Sequence, residues 1–186
     1  MTREEKVLSL INELLEKQDR VVVAIDGRCA GGKTTLALNL AKMCDCNVIH
    51  IDDFFLRPEQ RTSQRLSQPG ENIDHERFKD EVLLPLCSGE SFCYKPFSCS
   101  TGQLSDEISV APKRINIVEG SYCLNKHISD YYDLKLFVNV TSDEQTARIL
   151  KRDGSVKAKV YAEKWIPLEE KYFKAYDLMN NCDAVL

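Results

Sequence analysis

The chain has 186 residues, of which 43% are hydrophobic and 29% charged, with a formal net charge of −4. This composition is typical of a soluble globular protein, and residues 1–186 suffice for a single domain with a real hydrophobic core. The acidic balance, without any basic block, argues against a nucleic-acid partner or an anionic membrane surface. No signal-peptide core or apolar run of roughly 18 residues is present, which excludes a membrane span and favours a cytoplasmic location. We therefore expect the eight cysteines to be reduced thiols; an extracellular disulfide framework is the less favoured alternative.

Hydrophobic spacing predicts helices and strands in alternation along the chain. The predicted helices span 2–17, 33–44, 74–86, 141–152 and a segment that begins at Pro167. The predicted strands span 21–25, 47–51, 115–118, 134–140 and 184–186, with a loop over 56–72 and a hairpin formed by 91–97 and 107–111. This alternation indicates an α/β fold: a parallel sheet of about five strands with helices on both faces, arranged as a three-layer sandwich.

The segment from Gly27 to Thr34 matches the pattern G-x-x-x-x-G-K-[ST]. Glycines let the backbone turn tightly and point its N–H groups inward, and the next helix contributes its N-terminus, so the loop can hold phosphates. Lys33 is expected to reach the β- and γ-phosphates, and the Thr34 hydroxyl to bind Mg²⁺. A buried strand precedes the motif and an amphipathic helix follows it, which is the context a phosphate-binding P-loop requires. The predicted ATP-binding residues are Gly27, Cys29, Ala30, Gly31, Gly32, Lys33, Thr34 and Thr35.

Acidic residues follow three of the predicted strands, where ligands bind in open α/β sheets. Asp26 ends the first strand, Asp52 and Asp53 the second, and Glu119 the third. Adjacent side chains at a strand end diverge, so one of the two aspartates can face the transferred phosphate. A carboxylate there could accept the proton of an acceptor hydroxyl. The alternatives are two acids that open a turn, and a Glu119 that only marks a helix entry.

Cationic residues cluster on the helix after the fourth strand. Arg148, Lys151 and Arg152 could form a lid that brings positive charge over a phosphoryl group, with Gly154 as its hinge. A solvated helix face is the alternative interpretation.

The ordered set of motifs resembles the uridine kinase-like P-loop kinases. This group includes uridine kinases, nicotinamide riboside kinases and phosphoribulokinases. The resemblance covers about residues 21–153. Its motifs are Ile25-Asp26-Gly27 leading into Gly32-Lys33-Thr34-Thr35, then Asp52-Asp53-Phe54-Phe55, Ile73-Asp74-His75, Tyr94-Lys95-Pro96-Phe97, Val118-Glu119-Gly120 and Arg148-Ile149-Leu150-Lys151-Arg152-Asp153.

This resemblance implies specific roles for residues outside the phosphate loop. It implies that Asp52 is the catalytic base, that Glu119 lies near the magnesium ion and the substrate, and that a small hairpin and a lid cover the substrate. Alternatives from the residues themselves are a helix N-cap for Asp74 and core packing for Tyr94 and Phe97. The implied catalytic residues are Lys33, Asp52, Arg148 and Arg152; the substrate-binding residues are Asp52, Asp74, Tyr94, Phe97 and Glu119; the metal ligands are Thr34 and Glu119.

The predicted function is transfer of the ATP γ-phosphate to a hydroxyl of a nucleoside or similar small metabolite, with ATP and Mg²⁺ required. A regulatory nucleotide-binding protein or an ATPase without small-molecule turnover is the alternative. A GTP-binding switch is disfavoured because Asn125-Lys126-His127-Ile128 lacks the aspartate of Asn-Lys-x-Asp. The sequence does not identify the phosphate acceptor, and it leaves open whether the protein forms a homo-oligomer.

Overall fold

The computed structural model of the protein describes all 186 residues. Its strands are Val21–Gly27 (β1), Cys46–His50 (β2), Phe92–Tyr94 (β3), Phe97–Ser98 (β4), Gln103–Leu104 (β5), Ile108–Val110 (β6), Ile115–Glu119 (β7), Leu134–Val138 (β8) and Ala184–Val185 (β9). Its helices are Arg3–Leu15 (α1), Lys33–Met43 (α2), Ser63–Leu66 (α3), His75–Phe78 (α4), Leu84–Ser88 (α5), Ser142–Val160 (α6), Ile166–Tyr176 (α7) and Leu178–Asn181 (α8).

Five strands form one parallel sheet in the order β2–β7–β1–β8–β9, which confirms the predicted α/β architecture. The order places β1 between β7 and β8, and β7 between β1 and β2. Ile25 pairs with Glu119, and His50 pairs with Glu119 from the other side. Because parallel strands end at one edge, the segments that follow β1, β2 and β7 meet there.

The central strand β1 is buried at every residue, as its unbroken apolar run predicts. Since successive side chains point to opposite faces, Val22 and Ala24 enter one apolar cluster, and Val21, Val23 and Ile25 enter the other. Helices α1 and α2 cover the second cluster, while α4, α5 and α7 pack over the first. The helices therefore lie on both faces of the sheet and complete the predicted three layers.

Two helical regions are longer than predicted because a π-helical turn joins two consecutive helices in each of them. The turn Lys79–Leu83 joins α4 to α5, and Tyr161–Trp165 joins α6 to α7. Each turn ends just before a helix with proline near its start, Pro85 or Pro167, whose ring nitrogen cannot donate a helical hydrogen bond. Helical structure after Asp74 therefore continues to Ser88.

Helix α6 also exceeds its predicted end at Arg152 and reaches Val160, but Gly154 breaks it. Gly154 has φ 78° and ψ 171°, so the helix is two segments that meet at a kink. Gly154, the predicted hinge, is thus a non-helical residue between two helical segments and does not end the helix.

The predicted loop and hairpin also differ in detail. Residues 56–72 contain the short helix α3, and the hairpin is split into two short antiparallel ladders, β3 with β6 and β4 with β5. The strand predicted over 134–140 ends at Val138. No helix is long and apolar enough to cross a lipid bilayer.

Candidate functional site

The loop between β1 and α2 has the backbone geometry of an anion-binding nest. Gly27 and Gly32 have φ values of 136° and 100°, which only glycine adopts without strain. Gly32 is the N-cap of α2, so the free N–H groups at the start of that helix face the loop. Lys33 is only 8% exposed, and its Nζ donates to the carbonyl oxygens of Gly27 (2.7 Å) and Arg28 (3.1 Å). The cation is therefore already held inside the loop.

Thr34 and Glu119, the two predicted metal ligands, are in contact. The Thr34 hydroxyl lies 3.1 Å from both carboxylate oxygens of Glu119, which is itself 4% exposed. His50 also contacts this carboxylate, with Nδ1 2.5 Å from Oε1, and the hydrogen bond to Glu119 raises the pKa of His50. A hydroxyl beside a carboxylate at the end of a parallel sheet is a donor set that suits Mg²⁺.

Asp52 and Asp53 diverge, and Asp52 faces the cavity that contains the phosphate loop. Gly120 permits this placement: a Cβ there would lie 2.9 Å from Asp52 Oδ1 and 2.6 Å from Ile51. The Asp52 side chain is open to the cavity, yet surrounding protein atoms desolvate it and raise its pKa to about 6, and Glu119 adds to the rise. The positive charge of Lys33 lowers this pKa by less than desolvation raises it, but by more than Glu119 raises it.

Asp53 points away from this cavity and accepts a hydrogen bond from the Tyr94 hydroxyl at 3.2 Å. Burial raises the pKa of Asp53 as well, although His50 and the Tyr94 hydrogen bond oppose the rise. Asp53 therefore connects β2 to the antiparallel arm that contains Tyr94.

The two predicted lid arginines both line the cavity. Arg148 Nη1 donates to the carbonyl oxygens of Ala30 (3.2 Å) and Gly31 (3.1 Å), so it is seated on the phosphate loop. Arg152 pairs with Asp153 at 2.7 Å and donates to the Tyr161 hydroxyl at 3.1 Å. In this arrangement Arg148 contacts the phosphate loop, whereas Arg152 is held by Asp153 and Tyr161.

The remaining predicted substrate-binding residues are buried and lie outside the lining of the cavity. Asp74 is the N-cap of α4 and accepts from Arg77 N (3.1 Å) and Gln60 Nε2 (2.8 Å). Tyr94 and Phe97 are 4% and 5% exposed. Substrate binding by these three residues stays a prediction, while capping and core packing describe their observed contacts.

The cavity has a volume of about 1420 Å³. That exceeds the roughly 300–1,000 Å³ of a typical small-molecule site, so it can hold a nucleotide and a second small molecule. The phosphate loop, Asp52 and Glu119 line one side of it; Phe55, Tyr161 and Trp165 contribute aromatic surface elsewhere.

Glu169 on α7 is a site residue that sequence reasoning missed. It is 4% exposed; Oε2 accepts from the Cys29 backbone N–H of the phosphate loop (3.0 Å), and Oε1 accepts from the Ser121 hydroxyl (2.8 Å). The available signal was its spacing, because Glu169 is three and four residues before the buried Tyr172 and Phe173. An acid on the apolar stripe of a helix indicates a buried polar role.

Cys29 lies in the phosphate loop but is not a reactive thiol. Burial, with Glu169 beside it, raises its pKa to about 12, so the nucleophilic thiolate is not formed at neutral pH. All eight cysteines are unpaired in the structure.

The fold is shared with solved structures of low sequence identity. A possible uridine kinase from Bacillus stearothermophilus superposes with a TM-score of 0.65 at 18% identity, covering 97% of this chain and 99% of that one. A candidate fructose transport system kinase from Silicibacter sp. TM1040 gives 0.67 at 23% identity over 87% and 89%. YFH7 from Saccharomyces cerevisiae, a candidate P-loop kinase with a circular permutation, gives 0.65 at 13% over 97% and 94%.

Sequence comparison alone adds nothing to these structural matches. No protein-family model matches the chain. No curated protein matches it either. The structural likeness confirms the predicted architecture: the chain has the fold of the P-loop kinases, including the uridine kinase-like structures among them.

Proposed function

We propose that the protein is an ATP-dependent phosphotransferase that moves the γ-phosphate to a hydroxyl of a nucleoside or a similar small metabolite. One observation carries the proposal: a phosphate loop, a hydroxyl–carboxylate pair and a carboxyl group with a pKa of about 6 share one cavity. Phosphoryl transfer needs these groups because its catalysis is mostly positioning and charge stabilisation.

The residues fit the triphosphate of ATP. The backbone N–H groups of the loop and of the start of α2 would bind its phosphate oxygens, and Lys33 would turn from the Gly27 and Arg28 carbonyls toward them. Arg148, seated on the same loop, would neutralise charge that builds up on the transferred group. Arg152 would join it when the lid closes.

The oxygen donors of Thr34 and Glu119 fit a magnesium ion, which would neutralise phosphate charge when bound. His50 would keep the Glu119 carboxylate oriented through its contact at 2.5 Å. Thr34 and Glu119 would not need to move far to bind the ion, because both already lie beside the phosphate loop.

Asp52 would orient the acceptor hydroxyl and accept its proton as the oxygen attacks the γ-phosphorus. A base is most effective when its pKa lies near the working pH, and the pKa of about 6 meets that condition. The hydroxyl oxygen would form the new P–O bond, the bond from the γ-phosphorus to the ADP oxygen would break, and the proton would reside on Asp52.

The small-molecule acceptor is supported by the size of the cavity and by the proteins with this fold. The possible uridine kinase and the candidate fructose transport system kinase are named for small, hydroxyl-rich molecules. A nucleoside, riboside or sugar acceptor is the class we propose.

The direct test measures ADP release with MgATP against a panel of nucleosides, ribosides, pantothenate and sugars, alongside ATP binding by calorimetry. A strong response to one compound, with a phosphorylated product of matching mass, would support the proposal. ATP binding with equal ADP release in every sample would instead identify an ATPase, and binding without release would identify a regulatory nucleotide-binding protein.

A further inference from the structure

Three side chains of the metal-ligating type meet at the start of α4. Glu71 comes from the loop before α4, His75 is the first residue of α4, and His127 lies in the loop between β7 and β8. None of the three lines the large cavity. The cluster therefore belongs to no part of the proposed catalytic site.

The two imidazoles converge on one carboxylate. His75 Nε2 lies 3.0 Å from Glu71 Oε2, and His127 Nε2 lies 3.3 Å from Glu71 Oε1. One ligand atom from each residue lies within 4.8 Å of the other two. Tetrahedral zinc with bonds of about 2.0–2.1 Å holds its ligand atoms roughly 3.3 Å apart. Each imidazole therefore lies at about the required distance from the carboxylate, His75 from one oxygen and His127 from the other.

The Glu71 carboxylate is poised for a further partner. It is buried, at 9% exposure, and its Oε1 is a buried atom that accepts no hydrogen bond. Arg65 Nε pairs with the other oxygen, Oε2, at 3.4 Å. A buried carboxylate oxygen without a donor is costly, and a bound cation would satisfy it.

The buried His75 has the support that a metal ligand needs. Nδ1 of His75 lies 3.5 Å from the Glu76 carboxylate, and a carboxylate in that position commonly orients a metal-bound imidazole.

We propose that Glu71, His75 and His127 form a site for one Zn²⁺ ion, with water completing the tetrahedral coordination. The two rings stack with centroids 4.3 Å apart, so one must turn to place the ion in the planes of both. His127 can do so because its side chain is 46% exposed, whereas the buried His75 and Glu71 stay in place. A site made of two imidazoles and a carboxylate binds zinc in preference to magnesium.

The ion would clamp two segments that border the cavity. Asn72 follows Glu71 directly and lines the cavity, and Ser121 and Tyr122 line it on the loop that carries His127. These segments are already joined by the hydrogen bond from Asn125 Nδ2 to the Gly70 carbonyl at 2.9 Å. Zinc at this position would be structural, because no ligand of the ion reaches the phosphate loop.

The test titrates chelator-stripped protein with ZnCl₂ and measures bound zinc after gel filtration. Excess Mg²⁺ is present throughout, because it occupies sites made of oxygen ligands. Wild type should hold one equivalent more than His127→Ala, and the zinc affinity of the variant should fall by at least about 100-fold. Glu71→Gln, which keeps the side-chain volume, should show the same loss. The third histidine gives the matched control: His50→Ala should retain the equivalent.

Cobalt distinguishes this site from the eight thiols. Co²⁺ bound by wild type should show tetrahedral d–d absorption without a thiolate-to-cobalt charge-transfer band, and the absorption should be absent in His127→Ala. Equal zinc content in wild type and both variants, or a thiolate band on the wild-type cobalt protein, would overturn the proposal. Each outcome is independent of whether the protein phosphorylates any acceptor.

Discussion

The two sides of the cavity are built in different ways. The phosphate loop comes from one continuous stretch, residues 27–35, and its polar groups are paired within the loop or with Glu119, Arg148 and Glu169. The opposite side is assembled from segments far apart in the chain, among them Leu56, Asn72 and Trp165. The difference teaches that the phosphate loop is encoded locally, whereas the rest of the cavity depends on tertiary packing.

The largest expected effect is on the phosphate side. Lys33→Ala should lower turnover by about 10³-fold or more, because it removes the cation buried in the phosphate loop. ADP release measures the effect, and a thermal melt checks the fold. Normal activity with an unchanged melting curve would show that the loop is not the catalytic centre and would remove the basis of the comparison.

The next effect separates the two adjacent aspartates. Asp52→Asn should lower kcat by about 10²-fold or more with ATP affinity nearly kept, because the amide cannot accept the acceptor proton. Asp53→Asn is the matched control, since Asp53 is held by Tyr94 and points away from the cavity. If the control loses activity and Asp52→Asn does not, the roles of the pair are reversed.

The pH dependence of the reaction tests the same residue without a mutation. Desolvation by the surrounding protein atoms raises the pKa of Asp52 to about 6, so its basic form is lost as the pH falls through that value. We expect kcat/KM to be level above about pH 7 and to fall about tenfold per pH unit well below 6. A profile that stays level down to pH 5 would contradict a base with this pKa.

The raised pKa of Asp52 also affects stability, and here the protonated form of the residue is the favourable one. The folded protein holds the Asp52 proton more tightly than the unfolded chain, so this group favours folding below the ordinary value of 3.8, and its contribution is lost as the pH rises through about 6. Asp52→Asn should therefore melt higher than wild type at pH 8, and the difference should vanish at pH 4. A variant that melts lower at pH 8 would show that the carboxylate stabilises the fold.

Glycine substitutions compare the site with the exposed arm. Gly120→Ala should lower the free energy of unfolding by about 1–3 kcal/mol from backbone strain alone, and by more because the methyl group meets Ile51 and Asp52. Gly102 also has a positive φ, 71°, but no atom lies within 4 Å of its added Cβ. Gly102→Ala should therefore cost about 1 kcal/mol. Equal losses in urea unfolding would contradict the close approach of Gly120 to Asp52.

The smallest effect concerns the helix that contacts the phosphate loop. Glu169 accepts from the Cys29 N–H, a donor that a phosphate oxygen would use. Glu169→Gln should strengthen ATP binding by a few-fold, because it removes a negative charge beside the phosphates. Glu170→Gln is the control, since Glu170 is half-exposed and pairs with the Arg28 side chain. Weaker ATP binding in Glu169→Gln would show that the carboxylate supports the site.

The sequence predicts the parts of this fold that depend on neighbouring residues. The apolar run of β1, the Gly27–Thr34 pattern and the acids that follow β1, β2 and β7 are local signals, and the parallel sheet brings the loop and the acids to one edge. Local signals also explain one difference: Gly154 resembles a helix end, but the helix resumes directly after the kink at this residue.

Other parts could not be predicted because their partners are distant. Glu169 is 140 residues from Cys29, and nothing near either residue indicates that they meet. The same holds for Glu71 and His127, whose loops join only through packing of the folded chain. The predicted roles of Asp74, Tyr94 and Phe97 depend on the acceptor and stay predictions.

The buried carboxylate of Asp26 gives the molecule a built-in spectroscopic reporter. Its oxygens accept from Gly27 N (2.6 Å), Leu124 N (2.9 Å) and the Tyr172 hydroxyl (2.7 Å), so one side chain joins the phosphate loop to two other segments. A hydroxyl proton shielded in this way exchanges slowly with water and resonates far downfield. The Tyr172 signal would therefore register what happens at the phosphate loop without any label at the loop itself.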